Sequence, residues 1–325
     1  MRHLSRRLVG WTEALLTFRV RRKARRHLKQ SRKNVIVDWV EAFLQAAILV
    51  LVINQYLLQA YQIPSGSMID TLLLGDRIFV NKIVYGPELL PGLVKLPGFE
   101  RPERTEVVIF ENPSYISRGT AFTVLQRVLY MVTLSLVDID RDESGQPRAQ
   151  LLIKRAVGAE GDRFRNRRGD LEIIPAGESR WRSENVYRES IRADYTPRRT
   201  LDDGDYSVID SAGRALARRD LALPAETTDA ERINDLQRLG FGDPFALEAS
   251  RQGYLYAASP HNERIRRRIQ FVRIGWYVPE GRVFPVGDNR DNSRDGRYFG
   301  PVRTEDVLGR AMFIYWPLSR IGTIR

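Results

Sequence analysis

The chain offers few residues able to do covalent chemistry. It has no cysteine and only three histidines among 325 residues, which excludes disulfides, thiol nucleophiles and cysteine metal sites. His3 and His27 lie in an arginine-rich tail, and His261 sits in the turn-like string Ser-Pro-His-Asn-Glu-Arg. A Ser-His-Asp triad or a histidine metal cluster would therefore rest on His261 alone. A more pointed signal is Tyr61-Gln-Ile-Pro-Ser-Gly-Ser-Met68, which follows directly on an apolar run. Pro64 resists continuing a helix, and Gly66 permits unusual dihedrals or a close backbone approach. Ser65 and Ser67 are two apart, so an extended chain would point both hydroxyls to one side. Such a stretch could simply be a polar stop after an anchor. As chemistry, a serine here would need a carboxylate, a metal or a lysine to activate it.

A lysine stands inside an apolar, strand-like segment, Gln150-Leu-Leu-Ile-Lys-Arg-Ala-Val-Gly158. The ordinary fate of a strand lysine is to keep its ammonium in water. If Lys154 were desolvated instead, its pKa would fall from about 10.4 toward about 7–8, where it can serve as a base. Leu152 and Ala156 share its strand face and could begin the apolar wall; Arg155 should point to the other side. A third stretch, Val283-Phe-Pro-Val-Gly287 followed by Asp288-Asn-Arg-Asp-Asn-Ser-Arg-Asp-Gly-Arg-Tyr-Phe-Gly300, is a tight polar loop suited to orienting other groups. Asp291, Ser293, Asp295 and Gly296 fit the opening of a calcium loop, but Val302 falls where the bidentate acid belongs. No metal or cofactor is expected.

Several elements must position these groups. AFLQAAILVLVINQYLLQAY, residues 42–61, is about 30 Å long as a helix, the thickness of a hydrocarbon core. Trp39, Tyr56 and Tyr61 near its ends suit the interfacial belts. Residues 1–34 carry twelve Lys and Arg side chains against Glu13 alone, so all but one of the +12 net charge lies there. The basicity is a tail and the body is nearly neutral, which argues against nucleic-acid binding and predicts a cytoplasmic N-terminus, with everything after residue 61 outside. Within the tail, Leu8–Val20 reads as a cytoplasmic or membrane-surface helix. A cleaved signal peptide fits poorly, because the apolar run is long and lacks a small-x-small exit. After Pro64 the texture becomes β-type, in Asp76–Tyr85 and Thr105–Phe110. Residues 120–137 are apolar but contain Arg127 and five hydroxyl side chains, and read as strands or a membrane-dipping patch. Residues 163–280 form a more polar insertion with strands, turns and one helix, Ala230–Leu239, stopped by Gly240.

Together, PSGSM after a membrane helix, IKRAVGAEGD in a strand and GDNRDNSRDGRYFG near the C-terminus resemble the bacterial type I signal peptidases, the leader peptidase family. The resemblance covers roughly residues 36–162 and 281–316. It implies a mainly β, membrane-anchored catalytic domain with an inserted β-rich second region: tail 1–35, transmembrane helix 36–61, catalytic domain 62–162 and 281–325, insertion 163–280. It implies that Ser67 is the nucleophile and Lys154 the general base, with Ser65 and the Ser67 N–H forming the oxyanion hole. Ser293 matches the residue that positions the lysine, and Asp295 and Arg297 a supporting ion pair shared with Arg155. The implied activity is removal of signal peptides from exported preproteins after small residues, Ala-x-Ala in type, at the plasma (inner) membrane. The chain departs from the family pattern at Asp70, where Pro is usual, and at Arg104-Thr105-Glu106, where Arg-Gly-Asp is usual. Both departures lie near the substrate cleft. Self-cleaving repressors also use Ser and Lys, but the membrane span argues against that class, and an intact Ser65, Ser67, Lys154 and Ser293 argues against a degenerate scaffold.

Overall fold

The computed structural model describes residues 35–90, 94–133, 137–141, 145, 148, 150–239 and 243–324, with residues 12, 13, 17, 18, 20 and 22. Most of the basic tail lies outside them; of the stretch 8–20, expected as a surface helix, residues 12, 13, 17, 18 and 20 are described and are helical. The chain divides into two compact units, Met1–Val52 and Ile53–Arg325.

The apolar run forms helix α1, Val35–Tyr56, which is long and apolar enough to cross a membrane. Phe43, Leu44, Ile48 and Leu49 on it are exposed, as lipid-facing side chains would be. It ends earlier than the expected boundary at residue 61. Leu57 N–H closes the last turn on Ile53 O, and Leu58–Gln62 is strand β1, paired antiparallel along its whole length with β2, Arg77–Asn81. Sheet pairing wins these residues from the helix because it buries Ala60 and Tyr61 while satisfying their backbone. The 22 residues of α1 still span about 33 Å.

The second unit is built on an eight-stranded sheet. Beyond β1 and β2, and after the small hairpin β3 (Glu88–Leu90) and β4 (Val94–Lys95), come β5 (Val107–Glu111), helix α2 (Thr120–Val132) and β6 (Leu151–Gly158). The insertion follows as β7 (Arg163–Arg167), β8 (Asp170–Ile174), β9 (Arg182–Ser183), α3 (Glu184–Ser190), α4 (Asp203–Asp220), α5 (Asp229–Arg238), α6 (Pro244–Ala258), α7 (Glu263–Ile274) and β10 (Trp276–Tyr277). The chain closes with β11 (Arg282–Val286), α8 (Gly296–Phe299), β12 (Val302–Arg303), β13 (Val307–Trp316) and β14 (Gly322–Thr323). The large sheet runs β1-β2-β13-β5-β6-β11-β12, with β14 on β13. Strand β5 shows why its sequence is a continuous apolar run: Val107 and Ile109 enter one core cluster, Val108 and Phe110 another.

The insertion carries its own four-stranded sheet, β10-β7-β8-β9, joined to the main sheet by Phe164 stacked on Phe284 at 4.5 Å. It is not the β-rich region with one helix that its sequence suggests: α5 matches the expected 230–239 helix, and α3, α4, α6 and α7 are additional. The buried face of α4 explains the difference. Apart from Tyr206 and Ile209 it is made of Ala212, Gly213, Ala215 and Ala217, small residues that give a weak apolar signal but allow close packing. A Cβ on Gly213 would come within 2.6 Å of Ser250 Oγ on α6. Of the two expectations for residues 120–137, strands or a membrane-dipping patch, the strands give way to a helix over 120–132. Thr123 and Thr133 donate their hydroxyls to the Gly119 and Leu129 carbonyls one turn back, so the hydroxyl-rich composition is compatible with helix.

Candidate active site

Strand β1 delivers the chain to Pro64-Ser65, and Gly66–Met68 forms a single 3-10 turn. Met68 fixes that turn. Its side chain is fully buried among Ile63, Leu72, Val107, Ile109 and Ile153, and Leu72 N–H donates to Met68 O at 2.8 Å. Burying such a side chain contributes about 1.5–3 kcal/mol, and it holds the neighbouring Ser67 with it. Strand β6 brings Lys154 to the same place. Its Nζ lies 2.7 Å from Ser67 Oγ and 2.8 Å from Ile153 O, and both side chains are buried. Burial lowers the Lys154 pKa from 10.5 to about 8; the charges of Asp295 and Asp288 oppose that fall, and Arg297 adds to it. Leu152 and Ala156, on the same strand face, belong to an apolar cluster with Val108 and Phe110, the wall that the strand pattern suggests.

The polar loop after β11 wraps this pair. Asn289 N–H donates to Ser67 O at 3.1 Å and Asn289 Nδ2 to Gly66 O at 3.0 Å, so one residue clasps the 3-10 turn twice. Gly287 permits the approach: a Cβ there would overlap Ser293 Oγ and sit 2.6 Å from Ser67 O. Asp295 and Arg297 form a buried ion pair, Nε to Oδ1 at 2.9 Å, and Gly287 N–H donates to Asp295 at 2.8 Å. Burial would raise the Asp295 pKa, but Arg297 and the Gly287 N–H outweigh it and hold the carboxyl below its ordinary range.

Two expected relationships differ. Arg155 does not share the Asp295–Arg297 pair. It binds Asp288, with Nε to Oδ1 at 2.9 Å and NH2 to Oδ2 at 2.7 Å, and its guanidinium lies over the Tyr195 ring. Strand alternation turns it away from Lys154, and Asp288 is the acid on that side. Ser293 is buried beside the site with its hydroxyl toward Asp295, whose carboxyl it helps to hold ionised, and the Lys154 amine bonds to Ser67 and Ile153 instead. Ser65 is exposed and extended (φ −143°, ψ 159°) just before the 3-10 turn, and its side chain does not cap that turn. Sequence reasoning assigned no role to Gly287, Asp288, Asn289 or Thr71. The first three lay inside the quoted loop motif, whose acids and amide were visible but whose partners were not. Among the described residues, no group of three or more His, Asp or Glu is arranged to hold a metal ion.

A family model described as signal peptidase, peptidase S26, matches residues 36–316. Similar proteins include signal peptidase I of Haemophilus influenzae, 27% identical over 294 residues, 87% of this chain and 70% of the relative. Signal peptidase I of Pseudomonas aeruginosa is 25% identical over 91% of this chain and 82% of its own length. A probable thylakoidal processing peptidase of Arabidopsis thaliana is 23% identical over 90% of this chain and 47% of its own. The fold and these likenesses define a membrane-anchored, β-rich hydrolase. The chain belongs to the signal peptidase family, peptidase S26.

Proposed function

We propose that this protein is a serine endopeptidase that removes signal peptides from exported preproteins, with Ser67 as nucleophile and Lys154 as general base. One observation carries the reading: the 2.7 Å contact between Lys154 Nζ and Ser67 Oγ, made where both side chains are buried. With the amine neutral, its lone pair accepts the Ser67 hydroxyl proton while an N–H still donates to Ile153 O. Ser67 Oγ then attacks the scissile carbonyl carbon and the proton passes to Lys154. The tetrahedral oxyanion is received by the Ser67 N–H and the Ser65 hydroxyl, since the first N–H groups of a helical turn have no acceptor within it. Lys154 returns the proton to the departing amine as the C–N bond breaks, leaving an ester on Ser67. Water, deprotonated by Lys154, resolves the ester and restores both residues.

Ser293, Asp295 and Arg297 are read as the support behind Lys154, and Arg155 with Asp288 as the support of the loop. Cleavage after small residues of Ala-x-Ala type follows from the family resemblance. The basic tail before α1 favours a cytoplasmic N-terminus and a catalytic domain outside the plasma (inner) membrane. An enzyme fixed beside the bilayer meets membrane-inserted precursors at raised effective concentration. Purified full-length protein in detergent should cut a preprotein at its signal junction, as read by N-terminal sequencing of the product. Ser67→Ala and Lys154→Ala should each abolish cleavage while leaving the circular dichroism unchanged. Near-full activity in Lys154→Ala would end the dyad reading.

A further inference from the structure

We propose that Arg198, in the inserted region, is a positioning residue for the Ser67 turn, acting through Asp70; the inference rests on the reading of Ser67 as nucleophile. Asp70 lies three residues beyond Ser67, and its carboxylate accepts from Arg198 NH1 at 2.7 Å. The side chains are 69% and 42% exposed, so the pair sits at the solvent edge of the site. The backbone of Arg198 is not loose. Its N–H donates to Asp288 O at 2.7 Å, its carbonyl accepts from Arg290 N–H at 3.0 Å, and it bridges in parallel with Asn289, the residue that clasps Ser67 and Gly66. The next residues are tied down as well. Arg199 Nε, Thr200 N–H and Leu201 N–H all donate to the buried carboxylate of Asp291, at 2.9, 2.6 and 3.0 Å.

The turn is thus bracketed at three points. Asn289 holds Ser67 and Gly66, Asp288 holds Thr71 through a 2.6 Å hydrogen bond, and Arg198 holds Asp70 between them. Two of the three brackets come from the loop after β11. The third comes from the insertion, whose hydrogen-bonded backbone at 198–201 leaves only the Arg198 and Asp70 side chains to order when the pair forms. An exposed ion pair adds little to global stability and is weakened by salt. Its effect should therefore appear in turnover and not in melting temperature, because small displacements of a reacting group are costly in rate.

The test uses full-length protein in detergent and one purified preprotein. Arg198→Gln and Asp70→Asn should each lower kcat by about fivefold, with KM within about twofold and thermal unfolding unchanged. The double variant should fall no further than either single one. Arg198→Lys, which keeps the charge, should retain more than half of kcat. Raising salt from about 50 mM to about 1 M should lower wild-type kcat toward the variants and leave theirs unmoved. Multiplicative losses in the double variant would overturn the proposal, as would variants indistinguishable from a wild type that processes the preprotein. Failure of wild-type protein to process it at all would instead overturn the peptidase reading.

Discussion

Arg155 and Asp288 form a fully buried ion pair, with 2.9 and 2.7 Å contacts, one residue along the strand from Lys154 and one residue before the Asn289 clasp on Ser67. The pair joins the strand carrying Lys154 to the loop holding the Ser67 turn, and Thr71 Oγ1 completes it by donating to Asp288 and accepting from Arg155.

Asp288→Ala should leave a guanidinium buried without its partner. A loss of about 3–5 kcal/mol is expected, read as a drop in thermal unfolding temperature of about 10 °C. Replacing both partners with apolar residues, Arg155→Met with Asp288→Leu, should recover much of that stability. It should not recover activity, since Thr71 loses both of its contacts.

The pH dependence follows from Lys154. In the proposed mechanism its neutral form is the base, so kcat/KM should rise with pH on an acidic limb and level off above about pH 8. The stability consequence has the opposite use of the same burial. The folded pKa lies below the unfolded value, so between pH about 8 and 10.5 the unfolded chain binds more protons and stability rises with pH. Below pH about 8 the fold carries a buried ammonium, at a cost on the order of 3 kcal/mol. Lys154→Met should therefore be inactive yet more stable than wild type at pH 7, with the advantage vanishing toward pH 10.5, as measured by urea unfolding across pH.

Gly287→Ala should damage catalysis more than folding. The added methyl meets Ser67 O at 2.6 Å and overlaps the Ser293 side chain, so the Ser67 turn must shift. A loss in kcat of about a hundredfold is expected, with near-wild-type circular dichroism. Retention of full kcat would show that the turn can move without consequence.

Ser65→Ala tests the oxyanion assignment. The side chain is exposed and does not cap the 3-10 turn, so its removal should leave stability unchanged within about 0.5 kcal/mol. It should lower kcat by about 10²–10³-fold with little change in KM. Ser65→Thr, which keeps the hydroxyl, should restore a large part.

Residue types and their spacing were enough to indicate the family, a helix able to span a membrane, and the pairing of Ser67 with Lys154 that the proposed mechanism uses. Absence of cysteine and of a placed histidine narrowed the choice of base to a carboxylate, a metal or a lysine, and the three-motif resemblance pointed to Lys154; these are local or compositional facts that need no fold to be read. Apolar, β-branched runs also located β5 and β6, and helical spacing located α5. Such patterns erred where tertiary contacts override local preference. Residues 58–62 leave the helix because β2 is there to pair with them, and α4 hides its face in alanine and glycine because α6 packs close against it. Only the folded chain decided that Arg155 answers Asp288 and not Asp295, that Asn289 clasps Ser67, and that Arg198 reaches Asp70 across 128 positions of sequence. Side-chain type restricts which partners are possible, but the choice among many acids and arginines is made by distance and burial, and those exist only once strands far apart in the chain have been brought into register.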